Sequence, residues 1–339
     1  MKHNNIDLKP NEVSESTKSS MRTRIISAIV GLIIIIPPFF IGDWFFLALM
    51  AFISFVAMYE IVNCGKKAYS FWLYFVTISL GVLMVFWPLF KGLIANTSSN
   101  GHAYDYFTTL NFSLIAMFIG VCLLFLVVIL HTSFTVKDGC YFIAMVLIVA
   151  LGLQSLLFVR YFPSVLNTEP RDGWFNTFDN FSSCSFAAYG LIGTFMTDIG
   201  AYFVGVFFGK KKINERISPK KTYAGFYGGI VISALFSMGF AFLMSGIGSS
   251  ILPGIFDLEH WYNIVFMSLL MPFLATLGDF VFSAVKRFYE IKDFGKIMPG
   301  HGGILDRADS IVFVFAGLAI YTLLIYGLSG MGGAVSLLV

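Results

Sequence analysis

Long apolar runs separated by short polar stretches dominate this chain. A helix that crosses a bilayer needs about 20 mainly apolar residues, within a range of about 17–25. Nine segments meet that need: 25–41, 44–63, 70–90, 110–130, 140–160, 186–208, 225–246, 262–284 and 310–328. The pattern predicts an all-α, polytopic integral membrane bundle of about nine transmembrane helices. Pro37-Pro38 predicts a kink or stop in the first, and Gly42-Asp43 a tight turn into the second. Residues 1–20 are polar, with too little apolar surface to fold, and are expected to form a disordered cytoplasmic tail. The first apolar run exceeds a signal-peptide core in length and is followed by further spans, so it reads as a retained helix. Residues 21–185 then make an N-terminal transmembrane region and 186–339 a C-terminal catalytic one. No internal repeat is evident.

Charge fixes an orientation. Only 12% of the residues are charged, about half the share of a soluble domain. With the N-terminus in the cytoplasm, all of the 22 lysines and arginines except Lys91, Arg160 and Arg171 fall in inside segments, as cytoplasmic loops require. One span more or fewer in the middle would scramble that asymmetry. The C-terminus is then outside. The outside loops 91–109 and 161–185 hold no catalytic cluster. The four cysteines, Cys64, Cys122, Cys140 and Cys184, form no close pairs, so neither a disulfide framework nor a cysteine metal site is expected.

Charges within spans mark function by default. Three stand out: Glu60, Asp198 and Asp279. Glu60 is near the end of its span, where it could equally pair with Lys66-Lys67. Asp198 precedes the cytoplasmic edge at Lys210 by about 18 Å of helix, and Asp279 precedes Lys286 by about 10 Å. Asp279, Ser283 and Lys286 fall on one helical face, as do Asp306 and Asp309. Their hard oxygens suit magnesium, which binds through a few carboxylates plus substrate phosphates. The plainer reading, acids opening a helix, weakens once Asp279 and the basic residues around it are counted. Gly300-His301-Gly302-Gly303 can offer backbone N–H groups to an anion, beside Lys286, Arg287, Lys292 and Arg307. In the loop 209–225, Ser218, Lys220, Lys221 and Thr222 offer donors to phosphate, whereas Lys210-Lys211-Lys212 reads as a membrane anchor. His3, His102, His131 and His260 are scattered; only His301 belongs to a constellation.

The run Ser283-x-x-Lys286-Arg287-x4-Lys292-Asp293-x-Gly295-x3-Pro299-x-His301-Gly302-Gly303-x-x-Asp306-Arg307-x-Asp309 resembles the signature of the phosphatidate cytidylyltransferases, or CDP-diacylglycerol synthases. Upstream, Asp198-x-x-Ala201-Tyr202-x-x-Gly205-x3-Gly209-Lys210 and Ile217-Ser218-Pro219-Lys220-Lys221-Thr222 are similar to the preceding span and loop of that family, and Arg24-Ile25-Ile26-Ser27-Ala28 to its start. The resemblance is specific over residues 194–312. It departs at Tyr223-Ala224, where the family often has Trp-Glu.

The resemblance implies transfer of CMP from CTP to phosphatidic acid with release of pyrophosphate, a requirement for Mg2+ or another divalent cation, a homodimer, and an inner-membrane location with the site facing the cytoplasm. Asp279, Asp306 and Asp309 are expected to hold the metal, with Asp198 contributing. Lys220, Lys221, Lys286, Arg287 and Arg307 are expected to bind phosphates, Ser218, Thr222, Ser283 and Lys292 to line the substrates, and His301, Gly302 and Gly303 to line the nucleotide phosphates. Nucleic acid is not an expected partner. A transporter would instead place charges near the midplane of discontinuous helices, often in inverted repeats. A CTP-dependent lipid kinase such as dolichol kinase would move the γ-phosphate and leave the α-phosphate behind. The pattern of CDP-alcohol phosphotransferases is absent.

Overall fold

The computed structural model describes residues 15–65, 70–94, 114–130, 135–162 and 177–328. Helices α1 (Glu15–Ile41), α2 (Asp43–Asn63), α3 (Phe71–Val85), α4 (Trp87–Ile94), α5 (Leu114–Leu130), α6 (Val136–Tyr161) and α7 (Thr177–Phe208) lead to a short antiparallel hairpin. Its strands are β1 (Lys212–Asn214) and β2 (Ser218–Thr222), with Lys212 opposite Thr222 and Asn214 opposite Ser218. Helices α8 (Tyr223–Gly246), α9 (Trp261–Phe288) and α10 (Leu305–Leu328) complete the described chain. Local chemistry sets several starts. Thr135 and Asp138 form a reciprocal capping box on α6, and Thr222 caps α8 by accepting from the Gly225 amide, satisfying donors that a helix start leaves unpaired.

Among the described residues, six stretches are long and apolar enough to cross a membrane: Trp44–Asn63, Val136–Tyr161, Cys184–Phe208, Tyr223–Gly246, Trp261–Phe288 and Leu305–Tyr326. The chain is thus a multi-pass membrane protein of helices. Ile29–Ile41 and Phe71–Val85 are shorter apolar helices. The segment read as 70–90 divides at Phe86 into α3 and α4. Helix α1 already starts at Glu15, within the stretch read as a tail, and runs through Pro37 and Pro38 to Ile41. Two missing N–H groups this close to a helix end disturb only the last turns. The hairpin was not expected from the helical pattern. The expectations for residues 1–14, 66–69, 95–113, 131–134, 163–176 and 329–339, among them the Lys66-Lys67 partner for Glu60, lie outside the described residues.

Small residues let the helices approach, as is common where lipid supplies no hydrophobic drive between them. A side-chain carbon added at Gly228 would stand 2.4 Å from Val204, and one at Gly225 would stand 2.6 Å from the Ala201 carbonyl, so α7 and α8 touch backbone to backbone. Gly278 likewise brings α9 onto the Asp309 carbonyl of α10, at 2.4 Å from such an added carbon. Two apolar clusters fill the bundle. One joins Met58 and Ile61 of α2, Leu73 of α3, Phe142 of α6, Phe282 of α9 and Leu305 of α10. The other joins Phe158 of α6, Phe186 and Tyr189 of α7, Met271 of α9 and Phe315 of α10. Each draws on both sides of residue 185, and α6 serves both. Outward-facing residues such as Phe55, Phe195, Phe207, Val231 and Leu235 are also apolar and exposed, as a lipid environment requires.

One end of the bundle is closed by Arg160. This side chain is buried, and its Nε and Nη2 donate to the Phe39 carbonyl at 3.2 and 3.0 Å. That carbonyl belongs to the last turn of α1, where no intrahelical donor remains and a cation is favoured. The rings of Phe39, Phe46 and Tyr161 surround the guanidinium, and Gly42, at φ 72°, leaves room for it. In the loop before α9, burial opposes ionisation of Asp257, yet hydrogen bonds from His260 and Gly254 outweigh it and hold the carboxyl below its ordinary range. Arg160→Ala should remove a charged clamp of about 1.5–3 kcal/mol, lowering the thermal midpoint in detergent measured by intrinsic fluorescence.

Candidate active site

The opposite end gathers the polar residues. The last turns of α9 carry Asp279, Ser283, Lys286 and Arg287. Ser283 Oγ donates to Asp279 Oδ1 at 3.1 Å, as four-residue spacing on a helix predicts. The other Asp279 oxygen pairs with Lys221 of β2, whose ammonium also lies 4.5 Å from the centre of the Phe280 ring. Lys221 is in place because the next residue, Thr222, is buried where Gly205, Gly209 and Gly225 meet. Glycines at the end of α7, just beyond it and at the start of α8 therefore position the hairpin.

Beside this pair, α7, the hairpin, α8 and α9 enclose a cleft of about 210 Å³, lined among others by Asp198, Ala201, Tyr202, Lys220, Phe226 and Thr276. Asp309 is buried on α10, where its Oδ1 accepts from the Ser310 amide at 2.8 Å. It lies within electrostatic reach of Asp279, Lys286 and Asp198, and Asp198 within reach of Asp279, Lys221 and Arg307. Three carboxylates from three helices thus share one environment. Among the described residues, no three acidic, histidine or cysteine side chains stand close enough to form a ready-made metal site.

Three groups of expected site residues have partners within the protein. Asp306, expected as a metal ligand, has both oxygens engaged within the protein. Its Oδ1 accepts from Lys286 Nζ at 2.9 Å, and its Oδ2 from the amides of Phe294 and Gly303 at 2.8 and 2.9 Å. The glycine turn, expected to offer amides to an anion, uses them internally. His301 N and Gly302 N donate to the Met298 carbonyl, Gly303 N to Asp306, and Ile304 N and Leu305 N to Glu60 at 3.0 and 2.9 Å. Gly300 and Gly302 are needed for shape, with φ of 78° and 87°. Finally, the arginines brace loops. Arg287 donates to the carbonyls of Ile217 and Ile291, and Arg307 to that of His301. Lys220 and Lys292 are exposed at the same end, and Ser218 opens β2.

Two residues outside the expected set belong to this end. Glu60, buried at the end of α2, caps α10 across 244 residues of chain. Gly295 and Gly303 leave room for its carboxylate, since a carbon added at either would stand 2.2 or 2.3 Å from Oε1. A charge within a span was the available signal; its partner was not, because backbone amides carry no residue signature. Ser27 of α1 donates from Oγ to the Pro299 carbonyl at 2.9 Å and lies 2.8 Å from His301 Nδ1.

A multi-pass helical membrane protein with a carboxylate and lysine cleft at one end of its bundle is the class that fold and site define. The chain belongs to the cytidylyltransferase family, whose model matches residues 22–325. It is similar to the phosphatidate cytidylyltransferase of Bacillus subtilis (strain 168), with 30% identity over 296 residues, covering 87% of this chain and 94% of the relative. The phosphatidate cytidylyltransferase of Staphylococcus saprophyticus is 27% identical over 299 residues, covering 87% of this chain and 96% of the relative. That of Staphylococcus aureus (strain COL) is 26% identical over 300 residues, with the same shares covered.

Replacing Glu60 separates its two oxygens. Glu60→Gln keeps one acceptor and orphans about one amide, at a cost of about 1–3 kcal/mol; Glu60→Ala orphans both and costs more. Thermal midpoints of the purified variants should fall in that order.

Proposed function

We propose that this protein transfers the CMP moiety of CTP to phosphatidic acid, forming CDP-diacylglycerol and pyrophosphate in phospholipid biosynthesis. Family membership and the names of its relatives support the reaction. The observation that carries it to this site is the Lys221–Asp279 pair beside a cleft between helices, at the end where the lysines cluster. A lipid phosphate held at headgroup depth can reach such a cleft from the bilayer, and a nucleotide can reach it from water. The lysine asymmetry supports nine crossings of the cell membrane with the site facing the cytoplasm, and the family resemblance supports a homodimer.

In this reading a phosphate oxygen of the lipid attacks the α-phosphorus of CTP. The bond from that phosphorus to the bridging oxygen of the β-phosphate breaks, and the electron pair leaves with pyrophosphate. The lipid phosphate is already an anionic nucleophile, so little proton transfer is needed. The main demand is to neutralise converging anions. Lys220, at the cleft, and Lys292, exposed at the same end, would meet phosphates directly, while Lys221 would exchange Asp279 for a substrate oxygen. Lys286, Arg287, Asp306 and Arg307 hold the walls in register. His301, Gly302 and Gly303 shape the edge over which the triphosphate lies.

In this reading Asp279 and Asp309, with Asp198 contributing, would hold a magnesium ion: the three lie within electrostatic reach of one another, and this ion takes few protein ligands alongside phosphates. Bound there, it would supply Lewis-acid stabilisation of phosphoryl oxygens.

The reaction is tested with CTP labelled at the α-phosphate and phosphatidic acid in mixed micelles. Label should enter the lipid in step with pyrophosphate release; entry only from γ-labelled CTP would identify a kinase and overturn the assignment. Asp279→Asn and Asp309→Asn should each lower turnover roughly a hundredfold or more, with the fold retained by circular dichroism. Chelation of divalent cations should abolish turnover and added magnesium restore it. Full activity in chelator would remove the metal from the reading.

A further inference from the structure

Helix α1 is the least embedded part of the described bundle near the site. Ile29, Val30, Leu32, Ile33, Ile34 and Ile36 all face outward, and the helix packs chiefly against α2 and α7. Apolar packing therefore holds it weakly. Polar contacts pin it at two points. One is the Arg160 clamp on the Phe39 carbonyl, joined by Cys184 Sγ at 3.5 Å. The other lies twelve residues earlier, about 18 Å along the helix axis, where Ser27 meets the turn that carries His301.

The geometry at Ser27 is directional. Its hydroxyl hydrogen goes to the Pro299 carbonyl, which leaves its oxygen to accept from His301 Nδ1 in the tautomer that carries its hydrogen there. One side chain thereby bonds both the backbone of the turn and its imidazole. The backbone of the turn is held further by amides that bond to Met298 and Asp306 and by Arg307, which donates to the His301 carbonyl. A displacement of about 1 Å at a catalytic group is enough to cost large factors in rate, and groups that lock a functional rotamer carry that burden.

We propose that Ser27 is a positioning residue for the reaction: from α1 it locks the ring of His301, and the Pro299–His301 turn beneath it, in the orientation that meets the triphosphate of CTP. The inference rests on the proposed function for its substrate, but concerns a helix remote in sequence from every other site residue. Full-length protein is assayed for pyrophosphate release with CTP and phosphatidic acid varied separately. Ser27→Ala should lower kcat/KM for CTP about tenfold, leave KM for phosphatidic acid unchanged, and shift the thermal midpoint little. Ser27→Thr, which keeps the hydroxyl, should recover most of the loss. In a His301→Asn background, Ser27→Ala should add no further loss, because both changes act through one ring. Unchanged kinetics for Ser27→Ala, an equal loss toward both substrates, failure of Thr to rescue, or additive losses would each overturn the proposal. Wild-type protein that releases no pyrophosphate would overturn the functional reading as well, and is told apart by the unmutated control.

Discussion

The start of α10 is the constraint on which the site depends. A helix N-terminus leaves amides without intrahelical partners, and here two carboxylates take them, one from each end of the chain. Glu60 of α2 accepts from Ile304 and Leu305, while Asp306 of α10 itself reaches back to Gly303 and Phe294. An acid at such a position is also favoured by the helix dipole. The consequence is spatial. The loop from Tyr289 to Gly303 is tied to the first half of the chain and to the helix it precedes, and Lys286 is drawn across from α9 by the same aspartate. Gly295 and Gly303 are glycines because a carboxylate occupies the space that their side chains would need.

This network leaves a small reactive surface within a densely charged region. Asp306, Arg287 and Arg307, and every backbone amide from His301 to Leu305, are bonded inside the protein. What stands next to the cleft is the Lys221–Asp279 pair, with Lys220, Asp198 and, within electrostatic reach, Asp309. An ion pair in such a place has a clear use. In the proposed reaction each partner can be exchanged for another when phosphates arrive. The braced arginines and the glycine turn would act in it as rigid walls, since preorganised groups avoid reorganisation at the moment of reaction.

Membrane packing explains why these walls hold. Without a hydrophobic drive between helices in lipid, close contact relies on small residues. Gly225, Gly228 and Gly229 of α8 fit against α7, and Gly278 of α9 fits against α10. Those contacts lie within a few residues of Asp198, Lys221, Asp279 and Asp309. Close helix contacts thus include the polar end, while outer faces stay apolar and exposed.

The helical membrane class was legible from sequence because twenty apolar residues in a row have few other solutions, and the residues of the polar end were legible because charge between apolar runs is costly without a purpose. Asp279 with Ser283, one helical turn apart, was equally legible, since helix geometry is local. The pairings across elements were not. Lys221 with Asp279, Lys286 with Asp306, and Ser27 with His301 join segments whose approach is set by packing. The capping of α10 by Glu60 was hidden for a further reason: its partners are backbone amides, which every residue but proline carries alike. Sequence named the charges and their helices; only the tertiary structure decided which of them face the cleft and which are spent holding it open.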